Sequence, residues 1–152
     1  MEDCLLAKAV TDAALSYFNS EYNCVQSVLK SLLENKGLYF DNATYLSAGF
    51  GGGIAFSGQQ CGAISGAIMA IGLIVKRDIS DVREHKSITH RRSSEVIDKF
   101  KAEFGTIRCD DLTGVDMSDN RAFKRAYEAG VFKETCPKFV EKAVRIVMEM
   151  FP

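Results

Sequence analysis

Apolar residues recur along most of the chain at steps of three and four residues, and strict alternation of apolar and polar positions is nearly absent. This spacing places apolar side chains on one face of an α-helix. Two such stripes begin the sequence, and the second, over residues 25–33, stops near Asn35-Lys36-Gly37, a sequence typical of a helix end. The pattern predicts two antiparallel helices joined across residues 19–23. The first stripe consists of Leu5, Leu6, Ala9, Val10, Ala13, Ala14, Tyr17 and Phe18.

A Gly-rich connection over residues 37–58 follows, with a short helix predicted near Asn42 to Ala48. Further helices are predicted at residues 59–75, 81–104, 119–129 and 137–150, with a short turn at residues 109–114. No linker, low-complexity tract or internal repeat separates these segments. The sequence therefore predicts an all-α, single-domain helical bundle of about five to six helices over residues 1–152.

The helix over residues 81–104 carries its apolar positions mostly in its second half. We expect the first half to project into solvent or to meet a partner. His85 and His90 lie five residues apart, so they point to different sides of this helix, and we expect both at the surface. The cluster of Arg83, Lys86, Arg91 and Arg92 is interrupted by acidic residues and is predicted to form a solvated face.

Charge and hydropathy limit the classes of partner. With 19 basic and 20 acidic residues the net charge is -1, which indicates no general attraction to nucleic acid. The longest apolar run, Cys61 to Val75, is shorter than a membrane-spanning helix, so we expect no membrane insertion. The N-terminal stretch has Glu2 and Asp3 where a secretion signal carries basic residues, which favours a cytoplasmic location.

Five cysteines remain to be explained: Cys4, Cys24, Cys61, Cys109 and Cys136. An odd number in a chain large enough to fold without staples argues against a structural disulfide framework. No C-x-x-C occurs, so there is no local zinc or thioredoxin-type signature, and no C-x-x-C-H that would attach a c-type haem covalently. The triplet at residues 51–53 lacks the rest of a phosphate loop, and we expect it to serve close helix packing.

Four of the cysteines lie at predicted helix starts. Asn23 and Gln26 form a capping-box pattern with Cys24 at the first helical position. A similar pattern at residues 57–60 places Cys61 at the end of a first turn. Cys136 precedes a proline that favours the first helical position, and Cys109 opens a short segment. Free amides and the helix dipole at such positions favour the thiolate, so lowered pKa values are expected.

In their order, these residues resemble the C_GCAxxG_C_C family, which is described as redox-active. The resemblance rests on Asn23-Cys24-Val25-Gln26, on residues 49–53, on Cys61-Gly62-Ala63-Ile64-Ser65-Gly66, and on Cys109 and Cys136. It implies a helical fold and a redox role, with Cys24, Cys61, Cys109 and Cys136 as the characteristic cysteines and Gly62 and Gly66 as the motif glycines. Cys4 has no counterpart. The resemblance carries neither an established substrate nor a haem to this chain.

Three functions remain open. The first is a thiol-disulfide oxidoreductase, or electron-transfer protein, in which the four cysteines cluster and need no cofactor; its partner would be a redox protein or a small-molecule thiol or disulfide. The second is a metal or iron-sulfur protein with the same four thiolates as ligands. The third is a non-enzymatic helical interaction module with buried cysteines. The oligomeric state stays open in all three.

Two structural expectations follow from the resemblance and the helix positions. The four cysteines should converge at one end of the bundle, with Cys4 outside the cluster. Gly62 and Gly66, four residues apart on one side of a helix, should face a neighbouring backbone or cysteine segment, because glycine within a helix costs about 0.5–1 kcal/mol relative to alanine.

Overall fold

The computed structural model describes all 152 residues and contains nine α-helices, one 3₁₀ turn and no strand. The predicted all-α class is confirmed, with more helices than the five or six expected. The difference lies in short segments: residues 109–113 form a helix rather than a simple turn, and residues 131–135 add a helix that the pattern did not predict. The helices are α1 (Glu2–Phe18), α2 (Cys24–Asn35), α3 (Asn42–Ser47), α4 (Gly62–Lys76), α5 (Val82–Phe104), α6 (Cys109–Thr113), α7 (Asn120–Glu128), α8 (Val131–Thr135) and α9 (Pro137–Met150).

The five long helices, α1, α2, α4, α5 and α9, enclose one apolar core. Burial of large apolar side chains from at least four of them is the main force that holds the bundle together. None of the helices combines the length and the apolar character needed to cross a bilayer. The largest fully buried apolar side chains are Phe100, Leu32, Leu33, Ile64, Ile71, Ile146, Val25, Val28, Val96, Val140, Val144 and Val147.

The buried face of α1 differs from the predicted stripe. Val10 and Ala14 are buried as expected, but Leu5 and Leu6 are exposed. The face that meets the core carries Ala7, Val10, Thr11, Ala14, Leu15 and Phe18. Thr11 belongs to this face because its hydroxyl donates to the Ala7 carbonyl oxygen at 2.8 Å, which satisfies the buried polar group.

The first half of α5 is only partly exposed: seven of the twelve residues 82–93 are exposed, and the other five are partly or fully buried. His85 is only partly exposed, and its Nε2 atom lies 2.7 Å from the carbonyl oxygen of Gly72 in α4. Arg92 does not belong to a solvated face, because it donates to the Met150 carbonyl oxygen at 2.8 Å and lies over the Phe151 ring. This arginine therefore satisfies an otherwise unpaired carbonyl at the end of α9. His90 is exposed, as expected.

Helices α2 and α4 pack against each other more extensively than any other pair, and glycine makes this approach possible. A Cβ atom at Gly66 would lie 2.6 Å from the Val25 carbonyl oxygen and 3.1 Å from Val28 Cβ. A Cβ atom at Gly62 would collide with the sulfur of Cys24. The expectation that both glycines face a neighbouring backbone or cysteine is confirmed. The packing of α2 on α4 thus sets the position of one cysteine.

Gly66→Ala tests this packing, because the added methyl group would press on the backbone of α2. We expect the free energy of unfolding to fall by about 1–3 kcal/mol, and Gly66→Leu to be worse, as in other overpacked cores. Gly72→Ala is the matched control on the same helix, since no atom from another part of the chain lies within 4 Å of its added methyl group. The higher helix propensity of alanine should there raise the stability by about 0.5–1 kcal/mol. Denaturant unfolding of both variants decides the matter: equal stabilisation by both would show that Gly66 admits no close neighbour.

Candidate functional site

Cys24 occupies the first position of α2, and local sequence explains why the helix begins there. The Asn23 side chain accepts a hydrogen bond from the Gln26 N–H at 3.0 Å, and the Gln26 side chain accepts one from the Asn23 N–H at 2.9 Å. This is the capping box that the sequence predicts. Asn23 also donates to the Ala48 carbonyl oxygen at 3.0 Å, which ties the start of α2 to the segment that precedes the Gly-rich turn.

The sulfur of Cys24 lies among backbone amides from three parts of the chain. The N–H groups of Cys24 and Val25 come from the start of α2, that of Gly52 from the Gly-rich segment, and that of Gly62 from the start of α4. Each of these amides favours the thiolate. Cys24 is therefore the thiol at which α2, α4 and the Gly-rich segment meet.

Cys61 is the cap residue of α4 and does not lie inside its first turn, so the predicted register was wrong. The helix begins later because residues 58–61 pair with residues 107–110 instead of continuing a helix. In this ladder the Cys61 N–H donates to the Ile107 carbonyl oxygen at 2.7 Å, and the Cys109 N–H donates to the Gln59 carbonyl oxygen at 2.6 Å. A contact distant in sequence therefore decides where α4 starts.

The same ladder limits which cysteines can pair directly. Gln60 and Arg108 are the opposed antiparallel residues, so Cys61 and Cys109 occupy diagonal positions on one side of the ladder. Diagonal residues have Cα atoms about 7–8 Å apart, whereas a disulfide requires about 4.4–6.8 Å. The ladder thus holds Cys61 and Cys109 near each other, in positions whose usual separation exceeds the span of a disulfide.

Cys109 and Cys136 both lie at helix starts, as predicted. Cys109 is the first residue of α6, and Cys136 precedes Pro137 at the start of α9. Cys109 also packs closely on the Gly-rich segment, because a Cβ atom at Gly53 would lie 2.6 Å from its Cβ.

The Gly-rich segment forms a left-handed turn rather than the helix packing expected of residues 51–53. Five consecutive residues have positive φ: Gly52 (64°), Gly53 (69°), Ile54 (69°), Ala55 (50°) and Phe56 (58°). The left-handed conformation costs about 1–2 kcal/mol for each residue with a Cβ atom. The surrounding packing must compensate for three such residues. This turn brings the Gly52 amide to Cys24 and the Gly53 backbone to Cys109.

Three of the four cysteines open into one cavity of about 430 Å³, and the fourth lies outside its lining. Cys24, Cys109 and Cys136 line the cavity, which is formed by the ends of α1, α6, α7 and α8 and by the left-handed turn. Cys61 is absent from the lining and only 6% exposed. The four cysteines therefore converge in space, with Cys61 buried. All five cysteines of the chain are free thiols.

Burial dominates the ionisation of these thiols. Loss of water raises the pKa of Cys109 and of Cys136 to about 12, and raises the pKa of Cys24 and Cys61 as well, from the ordinary value of 9.0. The nearby Cys24 sulfur raises the pKa of each of the other three further. The predicted lowering is therefore wrong: the amides around Cys24 and Cys61 act in the predicted direction, but burial has the larger effect.

Cys4 lies outside the cluster, as expected. It is exposed and borders a separate depression with Asp3 and Arg145. No group of three or more histidine, cysteine, aspartate or glutamate side chains is arranged to hold a metal ion. The four thiols, as placed here, are therefore neighbours of one another but not a preformed set of metal ligands.

Sequence reasoning missed the aromatic side chains of the site. Phe56, Phe123, Tyr127 and Phe132 line the cavity that contains the three thiols. Phe123 and Tyr127 are four residues apart in α7, which looks like an ordinary core-facing stripe. The one signal of a different role is the presence of aromatic residues in a short, otherwise polar helix. Tyr127 is in fact 65% exposed.

Comparison with protein families gives a match over residues 22–150 to the family described as "Putative redox-active protein (C_GCAxxG_C_C)". The matched range contains Cys24, Cys61, Cys109 and Cys136 and leaves out Cys4. Comparisons with curated proteins and with solved structures found no match. Because the family match covers most of the chain, from just before α2 to the end of α9, the protein belongs to the C_GCAxxG_C_C family.

Proposed function

We propose that the protein is a thiol-disulfide redox protein in which Cys24 and Cys61 form the working pair. The observation that carries the proposal is the convergence of four free thiols around Cys24, three of them facing a cavity. Membership of a family described as redox-active supports the same class of chemistry.

Cys24 is the best candidate for the attacking thiol. It faces the cavity, where a substrate can reach it, and it has the backbone amides of Val25, Gly52 and Gly62 around its sulfur. The thiolate is the attacking species in exchange, and these amides would stabilise it once it forms. No comparable set of backbone amides surrounds the sulfurs of Cys109 and Cys136.

Cys61 is the best candidate for the resolving thiol. It is buried, so a substrate in the cavity has no direct access to it. The Gly62 residue that follows it packs on the Cys24 sulfur, and Cys24 is the neighbouring charge with the largest effect on the Cys61 thiol. The diagonal positions of Cys61 and Cys109 in the ladder are usually too far apart for a disulfide, which favours Cys24 as the partner of Cys61.

The proposed exchange consumes one substrate disulfide. The Cys24 sulfur attacks one substrate sulfur, the substrate S–S bond breaks, and the first substrate thiol leaves with a proton. The Cys61 sulfur then attacks Cys24, the mixed disulfide breaks, and the second substrate thiol leaves with a proton. The protein loses two electrons and two protons and gains one disulfide, while the substrate disulfide becomes two thiols.

The proposed reaction needs a reducing compartment and a redox partner. Free thiols at the start of the cycle require a reducing environment, so we propose a cytoplasmic site of action. The partner is a redox protein or a small thiol or disulfide. Metal binding by the same thiolates is the alternative, and stoichiometric metal in protein purified without oxygen would favour it over the exchange reaction.

Substitution of single cysteines tests the order of events. With hydroxyethyl disulfide as the substrate, Cys24→Ser should abolish formation of the protein disulfide, because this variant lacks the thiol that lies among the backbone amides at the cavity. Cys61→Ser should still react once and then accumulate a mixed disulfide on Cys24, because nothing resolves it. Mass spectrometry of the reaction products measures both outcomes.

Cys4→Ser is the matched control, since Cys4 is an exposed cysteine outside the cluster. Its rate should stay within about twofold of the parent, as for a surface change. The assignment fails if Cys4→Ser removes the activity, or if Cys24→Ser keeps the rate of the parent protein.

The raised pKa values predict how thiol reactivity depends on pH. Because the pKa of Cys109 and of Cys136 lies at about 12, both are neutral at pH 7, and their thiolate fraction keeps growing above pH 9. In the folded protein, the rate of alkylation by iodoacetamide should therefore still rise about tenfold per pH unit at pH 9. In denaturant the alkylation rate of the same cysteines should level off above about pH 9, because the ordinary pKa of the thiol is 9.0. Peptide mass spectrometry of alkylated samples measures each site, and identical folded and unfolded profiles would contradict the role of burial.

A further inference from the structure

The cavity above the thiols has walls built largely from aromatic rings. Phe18, Tyr22, Phe56, Phe123, Tyr127 and Phe132 line it together with the three cysteines. Its volume of about 430 Å³ lies in the range of small-molecule sites, about 300–1,000 Å³.

Three aromatic rings pack around Phe123. Phe132 stacks on Phe123 with ring centres 5.3 Å apart and planes 27° apart, and Phe56 meets Phe123 edge-on at 5.1 Å. Tyr127 stacks at 6.1 Å on the same ring. Stacked and edge-on faces of this kind suit a flat ring as the ligand.

The left-handed turn is an independent sign that the cavity is a built site. It carries Phe56 into the cavity wall, although Ile54, Ala55 and Phe56 all adopt a strained backbone conformation. Phe56 remains 53% exposed, so burial of its ring does not account for the strain. Backbone strain of this kind concentrates at active sites and ligand clamps.

The charges of the lining favour a neutral ligand with hydrogen-bond acceptors. Glu21 and Lys133 are the acidic and the basic lining residue, and both are exposed, so opposite charges balance at the solvent side of the cavity. The Tyr22 hydroxyl and the Lys133 ammonium can donate hydrogen bonds to carbonyl oxygens. The lining therefore suits a flat, uncharged ring that carries carbonyl groups.

We propose that this cavity binds a quinone, which oxidises Cys24 and Cys61 to a disulfide and leaves as the quinol. The inference rests on the proposed thiol-disulfide function and names the electron acceptor of the same site. A quinone combines a planar ring, carbonyl acceptors and no charge, and it accepts two electrons together with two protons. That stoichiometry equals what two neutral thiols release when they form one disulfide.

Atoms and electrons balance in two steps. The Cys24 sulfur adds to a ring carbon, and its proton passes to one quinone oxygen. The Cys61 sulfur then attacks the Cys24 sulfur, the S–S bond forms, and the C–S bond breaks with its electron pair passing to the ring. The Cys61 proton passes to the second oxygen. Two thiols and one quinone become one disulfide and one quinol.

Duroquinone is a suitable probe, because all four ring carbons that are not carbonyl carbons carry methyl groups. A stable aryl thioether therefore cannot accumulate. Reduced protein is mixed with duroquinone without oxygen, and loss of quinone absorbance is compared with the loss of free thiols. We expect the rate of this single turnover to saturate with duroquinone, with the half-saturating concentration taken as the KM, and one quinone to be consumed for every two thiols. Phe123→Ala should raise the KM for duroquinone by about tenfold, as expected for the loss of a central stacking ring.

Tyr127→Ala is a second variant that should also raise this KM. Because Tyr127 is exposed, its substitution should leave the fold intact, so misfolding would not explain the change. Tyr45→Ala is the matched control, because Tyr45 is also an exposed tyrosine (80%, against 65% for Tyr127) but lies outside the cavity lining, and this change should leave the KM unchanged. Equal KM values for Tyr127→Ala, Phe123→Ala and Tyr45→Ala would overturn the inference.

A parallel reaction with hydroxyethyl disulfide separates this inference from the function on which it rests. If the disulfide oxidises the thiols and duroquinone does not, the quinone site is refuted while the thiol-disulfide function stands. If neither oxidant forms a disulfide between Cys24 and Cys61, both proposals fail. Larger effects of the aromatic variants on duroquinone than on the small disulfide would support a site made for a flat ring.

Discussion

The close approach of α2 and α4 is the constraint on which the rest of the site depends. At Gly66 the backbone of α2 occupies the space where any other residue would place its Cβ atom, and at Gly62 the sulfur of Cys24 does so. This contact places the start of α2, which carries Cys24, beside the start of α4, which carries Cys61. A larger side chain at either position would separate the two thiols as well as the two helices.

The same packing explains why the thiols are held in their neutral form. A helix start offers free amides, and the sequence positions of Cys24 and Cys61 suggest thiolates stabilised by them. Packing close enough to bring the sulfurs together also excludes water from them, and the loss of water raises the pKa of both. In the proposed exchange, the amides around Cys24 would therefore act on a thiolate that forms during reaction rather than on one present at rest. Such a site protects its thiols from indiscriminate oxidation, since reactivity follows thiolate character and exposure.

Much of the fold could be predicted because its signals are local. The capping box of Asn23 and Gln26 lies within four residues, and it places Cys24 correctly. The start of α4 could not be predicted in the same way, because the capping-box pattern at residues 57–60 indicates an earlier start and the true boundary is set by pairing with residues 107–110. The buried face of α1 was misassigned for a related reason: its Leu5 and Leu6 fit a helical stripe but have no core to face at that end of the bundle.

The left-handed turn could not be predicted because it runs against local preference. Three glycines signal a turn, but Ile54, a β-branched residue, is among the residues least suited to positive φ. Only the surrounding structure can impose this conformation, through the contacts of Gly52 with the Cys24 segment, Gly53 with Cys109, and Phe56 with the aromatic wall. Each of these contacts belongs to the cavity. The strained turn is therefore the element in which local stability was given up for the geometry of the site, and its contacts tie the thiols and the aromatic rings into one unit.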